Sequence, residues 1–169
     1  MKFRELTADQ QEKAIAKLAD VNVDYEWWER SYDSIHEAAK LLGFYIDIQG
    51  FDIDRGQDVA LKGTYYYEKG CVEATKNWPA LRPIAEALQQ AQRPLFYRGT
   101  AVLSRSNSRT GTVIDCDDDD LKEAVRDFCH WACRVLQEDY EYLTSREAII
   151  EAIEANEYDF EVKSSAIYI

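Results

Sequence analysis

The run Ala38-Ala39-Lys40-Leu41-Leu42-Gly43-Phe44-Tyr45-Ile46-Asp47-Ile48 changes its hydrophobic period midway. Before Gly43, apolar residues recur three and four apart. Trp27 or Trp28, Tyr32, Ile35, Ala38, Ala39 and Leu42 then share one helical face, predicting a helix from about Asp24 to Leu42. After Gly43, Phe44, Ile46 and Ile48 alternate with Tyr45 and Asp47, the pattern of a strand with one buried face. Gly43 stands at the change, where a left-handed residue can end a helix. Alternation resumes at Val59, Leu61 and Gly63 and continues through Tyr65 and Tyr67. Asp54-Arg55-Gly56 supplies a turn between the two runs.

The rest of the chain extends this plan on both sides. Thr7-Ala8-Asp9-Gln10 is a capping box, so a helix opens there and ends near Asp20. A third helix follows Trp78-Pro79, carries Leu81, Ile84, Ala85 and Leu88, and ends near Arg93-Pro94. Phe96 to Leu103 and Thr110 to Ile114 read as a hairpin joined by the polar loop 104–109. A long helix over 117–142 buries Leu121, Val125, Phe128, Ala132, Val135 and Leu136. Thr144-Ser145-Arg146-Glu147 opens a last helix over 145–155. Tyr158, Phe160 and Val162 alternate, as in a short strand. The expected order is ααββαββαα, an α+β fold with an antiparallel sheet of about four strands packed with helices. With no repeat and no linker rich in Pro, Gly or Ser, one domain over 1–169 is expected.

Composition agrees with a folded chain. Its 169 residues are 46% hydrophobic and 12% aromatic, enough to bury a core and too aromatic for a disordered segment. No apolar run approaches the length of a membrane span. Met1-Lys2-Phe3-Arg4-Glu5 lacks the apolar stretch of a secretory signal. A cytoplasmic protein is therefore expected, with its four cysteines as thiols.

Charge is the most uneven feature. From Asp115 to Glu161 there are 16 acidic and 4 basic residues, which matches the whole net charge of −12. The remainder is neutral, with 16 of each sign. Such a surface steers a basic partner and repels the phosphates of duplex nucleic acid. The acids expected to meet that partner are Asp117, Asp118, Asp119, Glu138, Glu141, Glu151, Glu154 and Glu157. Of these, Glu138, Glu141, Glu151, Glu154 and Glu157 have no local role in the sequence reading. Trp27 and Trp28 join them, because adjacent residues cannot both face one side of a helix and an exposed tryptophan is a favoured interface anchor.

Other motifs carry less chemistry. Asp52-Ile53-Asp54-Arg55-Gly56-Gln57-Asp58 begins like a calcium loop. It has Gly56 where a third oxygen ligand belongs and Gly63 at the twelfth position, so it reads as a plain turn. Cys116, Cys129, His130 and Cys133 do not make a zinc set. Cys129 and Cys133 share a helix face, while His130 points about 100° away from Cys129. His36 is the only other histidine, which leaves little for a His-based triad. No metal or cofactor is expected. No acid occurs between Glu86 and Asp115. Arg98, Arg105 and Arg109, with Tyr66, are there the candidate residues for a phosphate-bearing ligand, since guanidinium groups pair bidentately with phosphate.

Four segments carry a resemblance: Val23-Asp24-Tyr25-Glu26-Trp27-Trp28-Glu29, Phe51-Asp52-Ile53-Asp54-Arg55-Gly56, Gly63-Thr64-Tyr65-Tyr66-Tyr67, and Tyr140-Glu141-Tyr142-Leu143-Thr144-Ser145 through Glu154-Ala155-Asn156-Glu157-Tyr158. Together they resemble small acidic proteins of phages and prophages, often labelled antitoxins of a toxin–antitoxin stability system. The resemblance implies an accessory gene product acting in the bacterial cytoplasm and brings no catalytic residues. By analogy with small acidic phage proteins that block host defence nucleases, including CRISPR complexes, it implies an inhibitor. The leading expectation is thus a non-enzymatic protein that binds a host defence or toxin protein bearing a basic surface. The alternatives are a nucleotide-signal sponge built on the arginine hairpin and exposed tyrosines, and a small hydrolase using carboxylates and a metal.

Overall fold

Gly43 adopts φ +99°, and a Cβ there would lie 2.0 Å from the Tyr66 carbonyl oxygen. Only glycine allows the helix to turn into the strand at this approach. The computed structural model describes residues 1–107 and 110–169. In chain order the elements are α1 (Ala8–Lys17), α2 (Glu29–Leu42), β1 (Phe44–Asp52), β2 (Asp58–Tyr66), α3 (Cys71–Ala74) and α4 (Arg82–Gln92). β3 (Thr100–Arg105), β4 (Thr112–Asp115), α5 (Asp119–Leu143), α6 (Arg146–Ala155), β5 (Glu161–Lys163) and β6 (Ala166–Tyr168) complete the chain. Single 3-10 turns occupy Phe3–Glu5 and Arg93–Leu95.

The class is α+β, with an antiparallel four-stranded sheet in the order β1-β2-β3-β4 and a separate β5-β6 pair. Contacts divide the chain into two compact units, one formed by Met1–Glu29 with Glu138–Ile169 and the other by Arg30–Gln137.

In the larger unit, alternation gives the sheet two unlike faces. Phe44, Val59, Leu61, Tyr65, Ala101, Leu103 and Ile114 are buried, while Tyr45, Tyr66, Val102 and Val113 stay exposed. The inner face meets α5, where the ring of Phe128 stacks on Phe44 at 4.1 Å and 14°. Tyr65 packs against the same Phe44 at 4.8 Å. Each such buried aromatic or aliphatic side chain contributes about 1.5–3 kcal/mol. A register shift between Ile48 and Gly50 bulges β1 as it approaches its turn.

The smaller unit has its own core of Phe3, Leu6, Ala14, Ile149, Ile153, Phe160 and Ile167. The capping box at Thr7 forms in full, with Gln10 N–H donating to Thr7 Oγ1 and Thr7 N–H donating to Gln10 Oε1.

Four expectations are corrected. First, the order is not ααββαββαα: the four-residue α3 intervenes after β2, and a terminal hairpin replaces the lone last strand. Ser164 and Ser165 turn that hairpin at positive φ. Second, α1 stops at Lys17, and hydrogen bonds from Val21 to Leu18 and Val23 to Asp20 make turns instead of helix. Third, α2 starts at Glu29 and not Asp24. Trp27 N–H donates to the Tyr25 carbonyl at 2.7 Å, a span of two residues that no α-helix contains. Fourth, β3 begins at Thr100 and not Phe96, because Phe96 and Tyr97 have φ of 54° and 61°. Those values lie far from the extended region.

Candidate functional site

The sequence places the acidic excess in a stretch; the fold gathers it in a unit. The smaller unit holds 16 acidic and 6 basic residues, a balance of −10. The larger unit holds 16 and 14, a balance of −2. Glu5, Asp9, Glu12, Asp20, Asp24, Glu26 and Glu29 from the N-terminal arm join the C-terminal acids in the smaller unit. Like charges at this density repel and lower stability unless something compensates.

Compensation is partial. Arg4 holds Glu154 bidentately, Nε to Oε1 and Nη2 to Oε2, each at 3.1 Å. These hydrogen bonds keep the Glu154 carboxyl below its ordinary pKa. Lys2 pairs with Asp159 at 3.2 Å and donates to the Glu157 carbonyl oxygen at 2.7 Å. Arg146 pairs with Glu12. Glu154 therefore has a local partner, contrary to the sequence reading. Glu141, Glu151 and Glu157 project into solvent, as does Glu138. Glu5, Asp9, Asp20, Asp24, Glu26, Glu29 and Glu147 of the same unit are exposed as well.

Asp117, Asp118 and Asp119 belong to the larger unit. Asp118 caps α5: its Oδ2 accepts the Leu121 N–H at 2.9 Å. Asp117 and Asp119 are exposed beside it at the positive end of the helix dipole. Trp27 and Trp28 are both half-buried. Trp27 packs on Trp28 at 5.9 Å and on Tyr140 at 5.4 Å, so both rings are partly covered.

Arg98 and Arg105 do not converge. Arg98 precedes β3 and Arg105 ends it. Six extended residues separate the two ends of that strand by about 20 Å. Tyr66 is 51% exposed and pairs with Thr100, at the Arg98 end. Arg109 lies outside the described residues.

Asp52 shapes the turn that follows β1. Its carboxylate accepts N–H groups from Arg55 at 3.0 Å, Gly56 at 3.1 Å and Asp54 at 3.0 Å, which holds its pKa below the usual carboxylate value. Cys129 and Cys133 are buried on the apolar side of α5, whereas His130 is exposed. Burial pushes the Cys129 thiol to about 12 and the Cys133 thiol to about 11, so both remain protonated and unreactive at neutral pH.

Two features escape the sequence reading. Asp120, Glu123 and Asp127 line a groove of about 370 Å³ floored by Ala87, Ala91 and Ala124, along α4 and α5. Their i, i+3, i+7 spacing on α5 and the i, i+4 alanines on α4 are the available signal. The second is the corner Arg93 to Arg98, whose left-handed residues follow no sequence rule. Among the described residues no helix is long and apolar enough to cross a membrane. Comparison with known protein families, curated proteins and solved structures finds no match to this chain.

Proposed function

We propose that this chain is a non-enzymatic phage accessory protein that binds and inhibits a host defence or toxin protein, with its acidic surface seated on a basic, nucleic-acid-binding face of the target. The observation that carries this reading is the segregation of charge: −10 of the net −12 resides in the smaller unit. A solubilising surface needs no such asymmetry between two units of one chain. An acidic surface that imitates a phosphate backbone does, because steering depends on a concentrated field of one sign. The resemblance to small acidic phage proteins supports the same setting. The separation of Arg98 from Arg105 along β3 favours this reading over the nucleotide sponge.

The test is capture from a bacterial lysate with the full chain, repeated with Glu141→Gln, Glu151→Gln and Glu157→Gln combined. The expected result is a basic nuclease or toxin retained by the wild type, released by raising salt to about 0.5 M, where screening length falls to a few ångströms. The triple variant loses it, and the purified target loses activity when the chain is added. Equal capture by both proteins, or a captured target that keeps full activity, overturns the proposal.

A further inference from the structure

The corner between α4 and β3 holds the most exposed of the large hydrophobic side chains, Phe96 at 81%. Phe96 and Tyr97 both sit in the left-handed region, which costs about 1–2 kcal/mol for each L-residue. The corner is nevertheless firmly held. Phe96 N–H donates to the Arg93 carbonyl at 3.1 Å and Tyr97 N–H to the Gln92 carbonyl at 3.0 Å. These two bonds are a Schellman cap that ends the helical turn, and the cap leaves the Phe96 ring in water. Arg93 and Arg98 flank it, both exposed and without an ion pair among the described residues. An exposed aromatic ring between two arginines is the composition of a protein-interface anchor, so its occupant is taken to be a protein.

The same unit carries a surface that fits this knob. Gly99 seats the corner on the first turn of α5: a Cβ there would lie 2.7 Å from Leu121 Cδ2. Along α5 from that point run Asp120, Glu123 and Asp127, the rim of the alanine-floored groove. Of these acids only Glu123 has an ion-pair partner among the described residues, Arg126 at 2.9 Å. An arginine-flanked aromatic knob and an acid-rimmed groove with alanines in its wall thus belong to one compact unit.

We infer that this patch binds its own copy, forming a two-fold dimer in which the knob of each chain enters the groove of the other. Phe96 rests on Ala87, Ala91 and Ala124, and Arg93 and Arg98 meet Asp120 and Asp127. A patch that carries both partners of a contact meets the requirement for an isologous interface. The contact uses none of the acidic residues assigned to target binding.

Sedimentation equilibrium on the full chain tests this. At low salt the wild type is expected to dimerise, and salt is expected to weaken the dimer. Phe96→Ala, which removes a side chain exposed in the monomer and leaves the fold intact, raises the dissociation constant at least about tenfold. Arg93→Glu with Arg98→Glu gives a monomer, and so does Asp120→Lys with Asp127→Lys. An equimolar mixture of these two double variants restores the dimer, because both halves of the mixed contact then join opposite charges. A wild type that stays monomeric, a dimer that survives Phe96→Ala and both double variants, or a mixture that stays monomeric overturns the inference.

Discussion

The side chain of Gln92 stands in for a strand beside Gly99. Its Nε2 donates to the Gly99 carbonyl at 2.8 Å and its Oε1 accepts the Gly99 N–H at 2.9 Å, with Gln92 fully buried. Both backbone groups of Gly99 are thereby satisfied just before β3 begins. Gln92→Ala leaves them unpaired and opens a cavity. The expected loss is about 2–4 kcal/mol in urea unfolding, with the amide signals of residues 96–99 shifting most. A loss under about 0.5 kcal/mol means that water replaces the clamp and that the corner holds itself.

Gly63 and Gly50 both lie in the sheet, and they are expected to respond oppositely to alanine. At Gly63, with φ +155°, a Cβ would fall 2.0 Å from the Tyr45 carbonyl oxygen; at Gly50 nothing lies within 4 Å. Gly63→Ala should cost more than about 2 kcal/mol through strain and a separated β1-β2 pair. Gly50→Ala should stay within about 0.5 kcal/mol. Equal effects of the two substitutions in thermal unfolding would refute the registered approach of the strands.

Most of the fold was legible because period and punctuation agree. The change at Gly43, the capping box at Thr7 and the apolar stripe of α5 each follow from local chemistry, and each appears where expected. The misplaced ends share one cause: chain conformation that side-chain pattern does not encode. Phe96 and Tyr97 are strand formers by type, yet Gln92 and Gly99 hold them left-handed from outside the segment. Trp27 has helical spacing, yet its N–H closes a turn on Tyr25. The candidate site was half legible for a similar reason. Composition located the C-terminal acids, but only the fold joins them to Glu5, Asp9 and Glu12, and only the fold gives Glu154 to Arg4.

Tyr65 is fully buried, and its hydroxyl, which faces the Gln92 side chain, makes no hydrogen bond of normal geometry among the described residues. Burial holds its pKa well above that of a free tyrosine. An unsatisfied buried hydroxyl is a cost, so Tyr65→Phe should be neutral or stabilising by up to about 1 kcal/mol while the stacking on Phe44 persists. Destabilisation beyond about 1 kcal/mol would mean that the hydroxyl makes a bond in solution, and the idea would fail.

Alkaline pH should weaken the fold through the thiols of α5. Burial raises Cys129 from 9.0 to about 12 and Cys133 from 9.0 to about 11. Below pH 9 the thiols are protonated in both folded and unfolded chains, and their contribution is constant. Above it the unfolded thiols lose protons that the folded ones keep, so stability falls until the folded pKa is reached. The slope is about 1.4 kcal/mol per pH unit for each thiol. Replacing Cys129 by Val should flatten the decline measured by urea unfolding in reducing buffer between about pH 9 and about pH 11. An unchanged slope would assign the alkaline loss to other groups.

Glu141, Glu151 and Glu157 set apart steering from structure. All three are exposed, and no ion pair holds them among the described residues. Replacing them with Gln removes like charges from a unit already at −10, so the fold should be as stable as before or slightly more so. Glu154→Gln differs, because it also breaks the bidentate contact with Arg4 and should lower the melting temperature of the smaller unit. For target binding the order reverses. The triple variant should associate with a basic target about tenfold more slowly at low salt, while its dissociation rate changes little, since dispersed rim charges act mainly on encounter. Raising ionic strength should erase the difference between wild type and triple variant, because both then approach through a screened field. Stopped-flow association at a series of salt concentrations reads this directly. If the two proteins associate at the same rate in low salt, the acidic unit only keeps the chain dissolved.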